Sequence, residues 1–352
     1  MKTPYKVMIM GASYGSLLAT KLLLAGHTVK LACLQHEADA INSSGTRVRM
    51  PGKGREGLVE VDSRKLPGKL SADVPANINP KDYDLIVLAM TEPQYSSAGA
   101  RELLDAVAKS KVPAMSIMNM PPLPYVKRIP GVNADGCRGC YAEPALWDAF
   151  DPSLLTLCSP DPQAFRPPEE KINVLQVRLP TNFKSARFPS DKHTQILRDL
   201  ERDIEAARYE GAELPVKLKV HDSIFVPLAK WPMLLAGNYR CVLPDTVRPI
   251  KDAVHTDVNE SRSVYEWVAE LCYSLGAKPA DLVPFDKYAQ AALSLLAPSS
   301  AARALAAGAP NIERVDRLVK TIAETRGRKN PKVDQIVALV DGWLERNRRK
   351  AA

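Results

Sequence analysis

Tyr5-Lys6-Val7-Met8-Ile9-Met10-Gly11-Ala12-Ser13-Tyr14-Gly15-Ser16 is the stretch whose reading decides the fold class. An apolar run stops at a glycine turn, and Leu17, Leu18, Leu22 and Leu24 follow at helical spacing. Gly26-His27 ends that helix, and Thr28-Val29-Lys30-Leu31-Ala32-Cys33-Leu34 opens a second apolar run. Strand, turn, helix and strand within about thirty residues make a βαβ unit, whose parallel strands are joined by a right-handed crossover.

The alternation continues outward. Tyr83 to Met90 and Val112 to Met118 read as buried strands, with a helix over Ala98 to Ala108 between them. Short β-type segments follow at Leu154 to Cys158 and Ile172 to Leu179, then an amphipathic helical stretch from Ser190 to Tyr209. Beyond about His221 the strand-like runs vanish. Val264, Trp267, Val268 and Leu271, then Ile336, Leu339, Val340, Trp343 and Leu344, recur at helical spacing. The expected organisation is an α/β domain with a Rossmann-like parallel sheet over 1–220, followed by an all-α domain over 221–352.

Composition agrees with two ordinary domains. The 352 residues are 45% hydrophobic and 25% charged, which excludes wholesale disorder and fibrous classes. The longest apolar runs, such as Asp84 to Met90, fall far short of the roughly 20 residues that span a bilayer. Lys2 and Lys6 precede an apolar run interrupted by Gly11, Ser13 and Gly15, which reads as strand and turn rather than a leader, so a cytoplasmic location is expected. A net charge of +8 could attract an anionic ligand. The densest basic clusters, at 326–329 and 346–350, lack interleaved aromatics, so neither nucleic acid nor membrane is the expected partner. Six scattered cysteines read as reduced thiols. Cys137 and Cys140 have CxxC spacing but no second ligand pair nearby, so no metal is expected.

A glycine turn between a parallel strand and a helix can bind phosphate, because backbone N–H groups and the helix N-terminus face an anion unobstructed. From Gly11, the third and sixth positions of a GxGxxG pattern are Ser13 and Ser16, and the second glycine is Gly15. A loop shortened by one residue accounts for this. Gly11, Ser13, Tyr14, Gly15 and Ser16 are the candidate cofactor contacts, with Gln35 at the end of the second strand. That end, Cys33-Leu34-Gln35-His36, has neither the acid that would hold a ribose 2′-OH nor an arginine for a 2′-phosphate, and Glu37 and Asp39 come a few residues late. NAD and NADP both stay open there.

Several segments together resemble the ketopantoate reductase family, which pairs a Rossmann domain with a helical domain similar to the C-terminal part of 6-phosphogluconate dehydrogenase. Gly15-Ser16-Leu17-Leu18-Ala19 through Ala25-Gly26-His27 to Ala40-Ile41-Asn42-Ser43-Ser44-Gly45 follows that family's opening unit. Ser116-Ile117-Met118-Asn119 resembles its strand ending in Gln-Asn-Gly, with Met120 in place of the glycine. Lys230-Trp231-Pro232-Met233-Leu234-Leu235-Ala236-Gly237-Asn238 resembles the first helix of its helical domain, with Leu234 where the family has an asparagine. Pro298-Ser299-Ser300 and Ile312-Glu313-Arg314-Val315-Asp316 resemble its Ser-Ser and Thr-Glu-Ile-Asp segments.

The resemblance implies an oxidoreductase using NADP, with NAD as the alternative, on the carbonyl of a small anionic keto acid. It implies Lys230 as general acid with Glu313 assisting, Asn238, Ser300 and Asn119 on the substrate, Asn119 also beside the cofactor, and a possible homodimer. A lysine donor keeps the alkoxide from forming fully, and desolvation can bring its pKa toward the working pH. Asn238 lies about 12 Å from Lys230 if the helix is continuous, and Pro227 and Pro232 predict a kink. Leu234, with Leu34 and Thr91 where the family commonly carries arginine and lysine, points to a substrate other than ketopantoate. Two alternatives stand beside this. One is an opine-type dehydrogenase using the adjacent His221 and Asp222, for which a helix N-cap is the competing reading. The other is a non-catalytic nucleotide-binding relative.

Overall fold

A computed structural model describes residues 4–52 and 57–351; Lys2 lies outside them. The chain forms two compact units. The first takes the chain up to Met90 with Gln94–Tyr125 and Ala145–Asp222. The second takes Thr91–Pro93, Val126–Pro144 and the chain from Ser223 onward.

The first unit contains strands β1 (Lys6–Met10), β2 (Thr28–Ala32), β3 (Arg47–Pro51), β4 (Leu58–Asp62), β5 (Lys69–Asp73), β6 (Leu85–Leu88), β7 (Ala114–Ile117), β8 (Leu155–Ser159), β9 (Gln163–Phe165), β10 (Val174–Leu179), β11 (Phe183–Ala186) and β12 (Leu218–His221). Its helices are α1 (Gly15–Leu24), α2 (Gln35–Ser44), α3 (Ala100–Ser110), α4 (Leu123–Val126, which runs into the second unit) and α5 (Asp191–Ala206). The main sheet has the order β12-β11-β8-β7-β6-β1-β2-β5. From β5 across to β8 every pair is parallel, and only the β8–β11 pair is antiparallel. The central strands are covered on both faces: Val7 to Met10 and Leu85 to Leu88 are fully buried. Burial of both faces explains why they appear in the sequence as unbroken apolar runs rather than alternating ones.

The elements expected from periodicity are present, with edges set by local chemistry. The fourth strand of the parallel set begins at Leu85 rather than Tyr83, since the Asp84 carboxylate accepts from the Lys6 amide at 2.8 Å and pins the strand start. A second sheet, β4-β3-β10-β9, was not foreseen. Its β3 and β4 are half-exposed ribbons, and β3 pairs in parallel with β10 from far along the chain, a pairing that local pattern does not carry.

All of α1 is buried, including Lys21, whose Nζ donates to the carbonyls of Pro215 at 3.0 Å and Leu214 at 3.3 Å. Burial, then the nearby Lys217, lowers its pKa to about 7. The unfolded lysine titrates near 10.4, so between about pH 7 and 10 the unfolded chain holds a proton the folded one has released. Stability from this group therefore rises with pH across that window and is lowest below pH 7. Urea unfolding of the parent and Lys21→Met at pH 6 and 9 should show a smaller parent advantage at pH 6, by about 1–3 kcal/mol. A difference independent of pH would refute the assignment.

The second unit is helical: α6 (Lys230–Met233), α7 (Ile250–His255), α8 (Val258–Leu275), α9 (Phe285–Ala292), α10 (Ser300–Ala306), α11 (Val315–Thr325) and α12 (Pro331–Ala351). No helix among the described residues is long and apolar enough to cross a membrane. Cys137 and Cys140 are the two buried residues of one 3-10 turn, Asp135–Cys140, and burial pushes the Cys137 thiol up to about 12.

Candidate functional site

In the first unit the chain fills the sheet from β1 outward through β2 and β5, then returns to β6 on the other side of β1. The carboxyl ends of β1 and β6 flank this reversal, the place where open α/β sheets hold ligands. Gly11 stands there with φ +103°, and its N–H donates to Ala32 O at 2.9 Å. A Cβ on Gly11 would lie 2.7 Å from Met90 Cγ and 2.9 Å from the Ala89 carbonyl oxygen. One on Gly15 would lie 2.7 Å from Ile9 Cγ2. The first glycine therefore serves the tight turn and the second the close packing of α1 on β1, two of the three roles in dinucleotide-binding loops.

The middle of the loop is Ser13, whose carbonyl accepts from the Ser16 amide at 3.2 Å and Ser16 Oγ at 2.8 Å. Among the described residues no protein acceptor takes the N–H groups of Ala12 and Ser13, and no side chain caps α1. Backbone donors at the start of a buried ten-residue helix fit a pyrophosphate in charge and geometry. Tyr14 has another task. Its Oη donates to Pro162 O at 2.6 Å, its ring meets Phe183 edge-on, and burial keeps the phenol protonated. Its backbone alone is left for a ligand. Gln35 is exposed at the start of α2, with Nε2 donating to Asp39 Oδ1 at 2.8 Å. Asn119 follows β7 by two residues and is half-buried.

In the second unit, Lys230 opens α6 directly after a 3-10 turn, Pro227–Ala229, and is half-buried. The interruption that Pro227 and Pro232 predict takes the form of a change in winding: after four α-helical residues the chain widens into a π-turn over Leu234–Asn238, and the Tyr239 amide donates to Leu234 O. Pro232, which has no N–H to donate, lies two residues before the change. Leu234 is 5% exposed, so its side chain belongs to the core of the unit. Ser299 Oγ donates to Asn238 O at 2.7 Å while also capping α10. Ser300 beside it is exposed.

Tyr239, which sequence reasoning did not single out, ties the segments together. Its Oη donates to Glu313 O at 2.5 Å and accepts from the Val315 amide at 3.0 Å, so the backbone of Glu313 is held against the π-turn. Arg314 next to it pairs through two nitrogens with the fully buried Asp316 at 3.0 and 2.9 Å, which fixes the start of α11. The unit thus gathers the Asn238, Ser299-Ser300 and Glu313 segments around one turn. His221 and Asp222, read as a possible helix cap, are not one: His221 ends β12, and the Asp222 carboxylate accepts from Arg198 Nη2 at 3.0 Å.

The architecture is a doubly wound α/β unit with a glycine turn at its switch point, joined to a helical unit. No family model matches the chain, and no curated protein matches its sequence. Solved structures do match over nearly full length. A Ralstonia solanacearum protein assigned as a ketopantoate reductase is 14% identical, with TM-score 0.67 and 98% of this chain and 99% of that one covered. D-mandelate dehydrogenase, solved with NADH and anilino(oxo)acetate, is 15% identical, with TM-score 0.63 and coverage of 97% and 99%. A dimeric ketopantoate reductase of Staphylococcus aureus is 11% identical, with TM-score 0.59 and coverage of 97% of this chain and 99% of that one. The chain has the ketopantoate reductase fold.

Proposed function

We propose that this chain is an oxidoreductase of the ketopantoate reductase family that reduces the carbonyl of a small keto acid with NADP, acting as a cytoplasmic homodimer. The observation that carries the reading is the Gly11–Gly15 turn at the carboxyl ends of β1 and β6, where the strand order reverses. Its support is the sequence resemblance at Asn119, Lys230, Asn238, Ser299-Ser300 and Glu313, together with the full-length fold.

A nicotinamide cofactor, when bound, supplies the hydride. The chain's own residues do the rest. The N–H groups of Ala12 and Ser13, with the N-terminal end of α1, take the pyrophosphate. The Lys230 ammonium gives its proton to the carbonyl oxygen as negative charge develops there, so the alkoxide is never released as a free anion. Glu313 holds the lysine in its charged form and accepts a substrate hydroxyl, while Asn238 and Ser300 hold the substrate's polar end. Leu234, buried where the resemblance places an amide, leaves one polar contact fewer for ketopantoate, so another keto acid is the proposed substrate.

Titration with NADPH and NADH, followed by protein fluorescence, tests the reading. The parent binds at least one of them at micromolar concentration. Gly11→Ala, whose Cβ cannot coexist with the Ala89 carbonyl, weakens that binding at least about tenfold. A parent that binds neither nucleotide would sink the proposal.

A further inference from the structure

The second strand of the fold ends without the basic residue that a 2′-phosphate needs, and the tertiary structure supplies one from elsewhere. β2 stops at Ala32, and the Cys33 amide donates to Asp73 O at 3.0 Å. The Leu34 amide then donates to Glu37 Oε2 at 3.1 Å, closing the first turn of α2. The other oxygen of that carboxylate, Oε1, lies 2.6 Å from Nη1 of Arg166, which follows β9. The guanidinium is therefore tethered to the turn between β2 and α2, where this fold places the ribose that distinguishes the two cofactors.

We propose that Arg166 is the specificity-determining residue that selects a 2′-phosphorylated dinucleotide over its unphosphorylated counterpart. This rests on the dinucleotide reading above. Glu37 is committed: one oxygen caps α2 and the other holds Arg166, so the acid near the strand end serves the protein before it can serve a ribose 2′-OH. Arg166 is not used up. A guanidinium carries five N–H donors, and among the described residues Glu37 is its only ion-pair partner. Its side chain stays 26% exposed against 12% for Glu37, so the cation is the more accessible of the two. Leu34, at the corner itself, is 63% exposed and offers no hydrogen bond from its side chain. Paired donors on a planar guanidinium match a phosphate better than they match a hydroxyl.

The test is the ratio of two dissociation constants, read by fluorescence titration with NADPH and NADH on the parent, Arg166→Gln and Glu37→Gln. The parent should prefer NADPH. Arg166→Gln should weaken NADPH binding about 10–100-fold and leave NADH within about threefold, in line with the loss of charge-assisted hydrogen bonds. Glu37→Gln breaks the same ion pair but keeps the guanidinium, so it should retain the NADPH preference. Three outcomes overturn the assignment: Arg166→Gln weakening both nucleotides alike, Arg166→Gln changing the binding of neither, or Glu37→Gln abolishing the preference as fully as Arg166→Gln does. A parent that binds neither nucleotide would instead remove the dinucleotide reading itself.

Discussion

Replacing Lys230 with glutamine lowers turnover about 10²–10⁴-fold while NADPH binding stays within about twofold of the parent. Glutamine is one atom shorter and keeps a hydrogen-bond donor, but its amide cannot act as an acid near neutral pH, so retained nucleotide binding with lost turnover separates proton donation from positioning. The assay is loss of NADPH absorbance with ketopantoate and a panel of other 2-keto acids. A variant that keeps the parent rate would remove Lys230 from the chemistry. One that loses nucleotide binding in equal measure would make it a structural residue.

Gly237→Ala has the largest expected effect on stability. A Cβ there would lie 1.9 Å from Tyr288 Oη and 3.2 Å from both Tyr288 Cζ and Val254 Cγ2. Tyr288 cannot easily retreat, since its ring is buried, stacks on Tyr265 at 5.5 Å, and donates to Met233 O at 3.1 Å. Overpacking of this kind costs about 2–3 kcal/mol, which lowers the thermal midpoint of a chain this long by roughly 3–4 °C. Tyr288→Phe removes the atom that clashes most, so the double variant should be less destabilised than the sum of the singles. A Gly237→Ala protein that melts with the parent would show that the π-turn relaxes without cost.

Much of the fold was legible because it is written in neighbours along the chain. Val7 to Met10 and Leu85 to Leu88 are unbroken apolar runs because both faces of a parallel sheet are buried, and glycines 11 and 15 flank a turn that tolerates no Cβ at either place. The second sheet was not legible. Its half-exposed strands carry only weak alternation, and the partner of β3 comes from far along the chain. The same limit applied to the helical unit: Lys230, Asn238 and Glu313 were found by resemblance, but Tyr239, which ties the Asn238 turn to the Glu313 backbone, was passed over as one buried aromatic among many.

By itself the sequence determined the class of each half of the chain, the glycine turn and the opening βαβ unit, because side-chain periodicity and backbone sterics act within a few residues. Only the tertiary structure decided the π-turn that ends the Lys230 helix and which cation stands at the end of β2. Arg166 reaches that corner through the packing of β9, and the bond that holds it there is made to Glu37, a residue whose position in the chain gives no sign of its partner. A contact between distant residues depends on the whole packed arrangement, and local pattern does not record it.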